Sequence, residues 1–241
     1  MHRFYIEEHL REGSFLVMKE EVAHQIGNVL RMQPGDDIVL FCGPKHDGHG
    51  YDFRFRIKRL KERVVDGEIL DRAKNEREPR LVCTLFQSVL KKDKMEWIFG
   101  KGTEIGVSRF VQVVSERSIK NTVNPERAQK ILKEAAEQSG RALLPEISDV
   151  VSFEQAIAQA KKDGGLSVFA HEKEIRSQFG NLPLPNQKIN LFIGPEGGFS
   201  DKELDQAKTA GFFITSLSRR ILRAETAAIT GTYFLLHRFG N

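Results

Sequence analysis

From residue 80 to the C-terminus, short apolar runs alternate with stretches of helical spacing, and this rhythm constrains the fold more than any other feature of the chain. Strands are expected at Arg80–Val89, Phe110–Ser115, Leu166–Ala170, Lys188–Ile193 and Phe212–Leu217. Between them, Lys94–Ile105 keeps Met95, Ile98 and Phe99 on one helical face, and Pro125–Ser139 opens on a proline that suits a first helical turn. Further helices are expected from Ser152 onward, from Ser200 to Ala210 and over Ala224–Arg238; Ser152 with Gln155 and Ser200 with Glu203 have capping-box spacing. Strands that alternate with helices imply an α/β fold with a parallel sheet.

The first 73 residues read differently. Strands are expected at Arg3–Ile6, Asp37–Cys42, Asp52–Leu60 and Val64–Leu70, with one helix at Glu20–Arg31 and a turn at Gln33–Asp37. A small β-barrel with one helix is the economical architecture. The polar run Asp71–Pro79 lacks apolar periodicity and reads as a linker. The chain therefore divides into a β-rich domain at 1–73 and an α/β domain at 74–241.

At 241 residues, with 40% hydrophobic and 29% charged side chains, the protein can bury a core without disulfide or metal staples. Cys42 and Cys83 have no metal-ligand spacing, so no metal is expected and a reducing compartment fits. The N-terminus lacks a signal-peptide apolar core, and no run reaches the roughly 20 apolar residues of a membrane span. A cytoplasmic protein is expected. The net charge of +4 is only a mild bias towards polyanions. One stripe is more specific: Phe53, Phe55 and Ile57 alternate with Arg54, Arg56 and Lys58, so a strand here turns one basic face outward. That face suits phosphate contact or serves solubility.

Two loops carry the chemistry. Ile193–Ser200 is glycine-rich and lies between a strand and a helix; Leu217–Ala227 sets Arg219, Arg220 and Arg223 around Ile221 and Leu222. The first lets backbone lie against a ligand. It has neither Walker nor G-x-G-x-x-G spacing, so simple nucleotide motifs are excluded. The second joins an apolar pair to arginines able to reach phosphate or a base. Side by side at strand ends, the two would form a ligand crevice.

Together these strings resemble the C-terminal signature of the bacterial 16S rRNA (uridine-N3) methyltransferases of the SPOUT superfamily. The resemblance spans the chain: His2–Tyr5, His24–Met32 with Gly35-Asp36, Lys94–Ile98, Thr103–Ser108, Ser115–Ser118 and Glu137–Arg141 match further blocks in order. It implies a PUA-like RNA-binding barrel followed by a trefoil-knotted methyltransferase domain, acting as a homodimer without metal or membrane. The implied cofactor is S-adenosylmethionine, and the implied substrate a uridine of 16S rRNA, within an assembled small ribosomal subunit. Two departures stand out. Ser218 occupies a position where the family usually has glycine, and Gly100 and Gly102 interrupt an expected helix.

By resemblance, Ala170, His171, Gly194, Pro195, Glu196, Gly197, Leu217, Ser218, Ile221, Leu222 and Thr226 are the candidates for holding the cofactor. Arg3, Arg31, Arg54, Arg56, Lys58, Arg220 and Arg223 are the candidates for RNA contact, with a salt bridge as the competing reading of Arg3. Because uridine N3 is a poor nucleophile until its proton leaves, a base or a stabilising cation is wanted. Arg223 is the candidate to stabilise the uridine anion, and Glu225 or Glu196 to accept the proton or to orient an arginine. His171 and Glu172 are also within consideration, as is loss of the proton to water. Trp97 reads as core packing, and Lys91, Lys92 and Lys94 read equally as an RNA contact or a solvated turn. Two other functions compete: a knotted methyltransferase modifying a different RNA atom, and an RNA-binding assembly factor without catalysis.

Overall fold

The protein, seen in a computed structural model, is described over residues 1–43, 50–118, 123–174 and 182–240. It separates into two compact units, Met1–Glu78 with Ala136–Leu144, and Pro79–Ala135 with Pro145–Asn241.

The first unit is a five-stranded sheet of β1 (Arg3–Tyr5), β2 (Phe15–Lys19), β3 (Asp37–Phe41), β4 (Tyr51–Lys61) and β5 (Val64–Lys74), ordered β1-β3-β4-β5-β2. β1 lies parallel to β3 and the other pairs are antiparallel. The strand β2 was not expected. Its alternation is masked because the outward positions, Phe15 and Val17, are themselves apolar and exposed. The expected helix over Glu20–Arg31 is broken: α1 (Glu20–His24) passes into a π-helical turn at Gln25–Val29, where Leu30 N–H donates to the Gln25 carbonyl at 2.9 Å. Arg31 then takes a left-handed φ of 54°.

Alternation along β4 drives the packing of this unit. Phe53, Phe55 and Ile57 are buried with Phe4, Ile26, Ile38, Leu40, Val65 and Ile69. The opposite face carries the basic stripe, but each cation has an acid beside it: Arg54 pairs with Asp71, Arg56 with Asp37 at 2.8 Å, and Lys58 with Glu68 at 3.5 Å. The polar run expected to be a linker is instead structured. Its first residues complete β5; Asn75 is buried and donates to the Gly140 carbonyl at 3.0 Å. Glu78 meets Arg141 at 3.0 Å and accepts the Ala142 and Leu143 N–H groups at 2.8 and 2.9 Å. Polar composition here reflects an internal hydrogen-bonded seam, which looks like a linker when only apolar periodicity is read.

The second unit contains β6 (Val82–Ser88), α2 (Lys92–Ile105), β7 (Arg109–Val114), α3 (Pro125–Ser139), β8 (Glu146–Ser152), α4 (Phe153–Asp163), β9 (Leu166–Ala170), β10 (Lys188–Ile193), α5 (Asp201–Thr209), β11 (Phe213–Thr215) and α6 (Ala224–Phe239). The last turn of α3 is grouped with the first unit. The six strands form one sheet ordered β11-β9-β10-β6-β7-β8, and every neighbouring pair is parallel. β8 was not expected, and its half-exposed residues show no alternation, as befits an edge strand. Both capping boxes form: Ser152 Oγ accepts from Gln155 N–H and Ser200 Oγ from Glu203 N–H, while each glutamine or glutamate side chain returns to the cap. Phenylalanines fill one face of the sheet, with Phe86 stacked on Phe192 at 4.3 Å and Phe169 on Phe199 at 4.2 Å. Trp97 corrects its expected place in the core: it is 46% exposed on α2, whose buried side is made by Met95, Ile98, Phe99, Gly102 and Thr103.

Candidate active site

β11, β9 and β10 are neighbours in the sheet and run the same way, so the segments leaving their C-terminal ends meet. Between these segments lies a cleft of about 530 Å³. The end of a parallel sheet is where open α/β folds bind ligands, because strands stop there and loops with unpaired backbone begin.

The glycine loop is fixed from beneath. Phe199 is buried on Phe169 and draws the chain after Gly198 into the core. A Cβ on Gly194 would come within 3.1 Å of the Phe199 ring and 3.3 Å of its backbone nitrogen, so any larger residue would have to push this packing apart by a few tenths of an ångström. Gly198 N–H donates to the Pro195 carbonyl at 2.9 Å, and Gly198 takes φ +66°, closing a tight turn with Glu196 near its tip. Arg117, from the loop after β7, holds the turn from outside by donating to the Gly197 carbonyl at 2.9 Å. Arg117 stands in the motif Ser115–Ser118, whose presence in the sequence is a signal that names no function.

On the β9 side, His171 is buried, its N–H donates to the Thr215 carbonyl at 2.9 Å, and its ring lies over Phe169. The loop after β11 closes the cleft. Ser218 Oγ accepts the Arg220 N–H at 3.1 Å, and Ser216 Oγ donates to the Ser218 carbonyl at 2.7 Å. Ser218 does not adopt a left-handed φ, so its Cβ is accommodated without backbone strain and its hydroxyl adds a turn contact that glycine lacks.

Of the residues singled out from sequence, Ala170, His171, Gly194, Pro195, Glu196, Gly197, Leu217, Ser218, Ile221, Leu222, Arg220 and Arg223 line the cleft. Thr226 does not; it lies in the first turn of α6, where its carbonyl accepts from Thr230 Oγ1 at 2.8 Å. Glu225 is not in the lining either, but its carboxylate lies 3.6 Å from Lys94 Nζ, and Lys94 does line the cleft. Lys94 also donates to Glu196 Oε1 at 3.0 Å, and that hydrogen bond raises the lysine above its ordinary pKa and keeps it charged. Glu172, Gly198 and Phe199 join the lining as well.

The candidates in the first unit are not part of this cleft. Arg3 is held by Asp52 through two hydrogen bonds of 2.8 and 2.9 Å and donates to the Arg141 carbonyl at 2.9 Å, so the salt bridge weighed for it is present. Arg31 is exposed on its left-handed backbone, and Arg54, Arg56 and Lys58 occupy the paired stripe.

A parallel sheet whose neighbouring strand ends carry a bare glycine turn and an arginine loop defines a ligand-binding α/β enzyme domain, and residues 76–235 match the family model described as an RNA methyltransferase domain. Ribosomal RNA small subunit methyltransferase E of Bacillus subtilis is 31% identical over 95% of this chain and 93% of its own length. A solved structure of ribosomal RNA small subunit methyltransferase E from Neisseria gonorrhoeae, bound to S-adenosyl methionine, is 30% identical and superposes with a TM-score of 0.90, covering 100% of this chain and 98% of the other. A solved Legionella pneumophila protein in complex with bound SAM is 31% identical with a TM-score of 0.87, covering 99% of this chain and 98% of the other. The chain belongs to the ribosomal RNA small subunit methyltransferase E family.

Among the described residues no cluster of three or more metal-ligating side chains occurs, and no helix is long and apolar enough to cross a membrane.

Proposed function

We propose that this protein transfers a methyl group from S-adenosylmethionine to N3 of a uridine in 16S rRNA. The observation that carries the reading is the cleft at the ends of β9, β10 and β11, in a chain that superposes along its whole length on a relative bound to that cofactor. The residues fit such a molecule. The cleft volume of about 530 Å³ lies in the range of small-ligand sites, and its wall joins side-chain-free backbone at Gly194 and Gly197 to apolar Leu217 and Leu222.

Ala170, His171, Gly194, Pro195, Glu196, Gly197, Leu217, Ser218, Ile221 and Leu222 would hold the cofactor, with Thr226 supporting from α6. When bound, S-adenosylmethionine supplies a sulfonium methyl group; the N3–CH₃ bond forms as the CH₃–S bond breaks, and its electron pair stays on sulfur. The protein's part is alignment and charge. Arg223 at the mouth of the cleft stabilises the negative charge that spreads onto the uracil oxygens as the N3 proton departs. Glu196 or Glu225 accepts that proton. Arg220 grips RNA phosphate, and Arg31, Arg54, Arg56, Lys58 and Arg3 extend the RNA surface on the first unit.

The same reading makes residues 1–73 a PUA-like barrel and residues 74–241 a trefoil-knotted SPOUT domain. It makes the protein a cytoplasmic homodimer that acts on the assembled small subunit without metal. The exposed aromatic groups Trp97 on α2 and Tyr233 and Phe234 on α6 support a protein–protein contact on those helices, which pack on one another.

The test is methyl transfer from labelled cofactor to small subunits prepared from a strain lacking the enzyme. 3-Methyluridine by mass spectrometry, lost in Arg223→Ala, is the expected result; a different methylated nucleoside refutes the assignment.

A further inference from the structure

Lys94 lies in the first turn of α2, and its ammonium reaches across 102 residues of sequence to Glu196 at 3.0 Å. It reaches Glu225, at the start of α6, at 3.6 Å. Among the described residues Lys94 is the one cation paired with either carboxylate. Glu225 Oε2 is buried and has no hydrogen-bond partner, so at that oxygen the Lys94 charge is the compensation present. The three groups come from three elements: a helix, the glycine turn and the N-terminus of the last helix. The neighbouring Met95 is fully buried, which anchors the backbone that presents Lys94. On α2 itself the acids near Lys94 are Asp93, in the same first turn, and Glu96, which is directed to Lys92 and Arg127. Other charged or titratable groups lining the same cleft are His171, Glu172, Arg220 and Arg223.

We infer that Lys94 is a positioning residue for methyl transfer: its ammonium ties Glu196 and Glu225 together at the edge of the cleft and fixes where both carboxylates sit. This rests on the reading that one of these carboxylates receives the uridine N3 proton. One cation between two anions leaves the trio with net charge −1, so a proton arriving from N3 neutralises the cluster. Two carboxylates this close to one ammonium repel each other once it is removed, and the pair then takes up a proton more readily.

The experiment compares Lys94→Met, Lys94→Arg, Glu196→Gln and Glu225→Gln in full-length protein with small subunits as substrate. Lys94→Met is expected to lower kcat roughly tenfold or more, while KM for S-adenosylmethionine changes far less. The acid limb of its kcat–pH profile should move up by about one pH unit. Lys94→Arg should restore much of kcat, because a guanidinium can also bridge two carboxylates. Thermal unfolding of the unliganded protein gives a readout independent of activity. Lys94→Met should lower Tm near neutral pH, and adding Glu225→Gln should remove part of that loss. Wild-type kcat and an unmoved acid limb in Lys94→Met, with either glutamine variant inactive, overturn the Lys94 inference and leave the carboxylate reading intact. Full activity in both glutamine variants overturns the carboxylate reading itself. A Lys94→Arg variant as defective as Lys94→Met, with no coupling to Glu225 in Tm, also overturns the inference.

Discussion

Two glycines two residues apart on α2 should respond differently to alanine. Both lie inside a helix, where glycine is about 1 kcal/mol less favourable than alanine. A Cβ on Gly100 would meet Ile131 Cγ2 at 3.6 Å, an ordinary contact. A Cβ on Gly102 would lie 2.7 and 2.8 Å from ring carbons of Phe110 and 3.3 Å from Val107 Cγ2. Phe110 cannot move aside easily, because it is fully buried with its ring edge-on to Phe99 at 5.3 Å. Gly100→Ala therefore keeps the helix gain of about 1 kcal/mol and should raise Tm by roughly 2–4 °C in a protein of this size. Gly102→Ala gains the same term but overpacks the helix–sheet contact at a cost of about 1–3 kcal/mol, leaving it neutral to clearly destabilised. The two variants should then differ by about 1–3 kcal/mol in urea or thermal unfolding. Equal shifts in both would refute the claim that Gly102 is required by close approach to Phe110.

Other outcomes follow from the same structure. Glu78→Ala should destabilise by about 3–5 kcal/mol in denaturant unfolding, since the Glu78–Arg141 pair is largely buried, with side chains 11% and 5% exposed. The hydrogen bond from Arg56 holds the Asp37 carboxyl below its ordinary range. A depressed carboxyl contributes stability that is present above the unfolded pKa and lost as pH falls through the folded one. Asp37→Asn should therefore flatten stability against pH below about pH 4, and an unchanged acid limb would contradict the pairing. Ser218→Ala removes the acceptor of the Arg220 N–H and should weaken binding of S-adenosylhomocysteine by calorimetry, by about 0.5–1.5 kcal/mol.

Much of the second unit was legible because local signals agreed with one another. Leu166–Ala170, Lys188–Ile193 and Pro125–Ser139 have the bounds that their apolar runs and opening proline suggested. Both capping boxes formed at the serines that announced them. Signals failed where burial and periodicity part company. β8 is an edge strand with no alternation, β2 is apolar on both faces, and the helix after Glu20 is broken by a π-turn that side-chain spacing does not register. The run Asp71–Pro79 looked like a linker because its buried members are polar and partnered by hydrogen bonds and an ion pair, which periodicity cannot reveal.

By itself the sequence determined most of the element types in the second unit, its parallel α/β character, and the two loops whose residues line the cleft. These follow from local chemistry: apolar runs, caps, glycines and arginines keep their meaning wherever the chain goes. Tertiary structure alone decided the strand order β11-β9-β10-β6-β7-β8, because buried parallel strands are uniformly apolar and carry no mark of their neighbours. That order brings three strand ends together. It also sets Lys94 against Glu196 and Glu225, a contact no spacing in the chain could announce, since it depends on long crossovers that return distant segments to one end of the sheet.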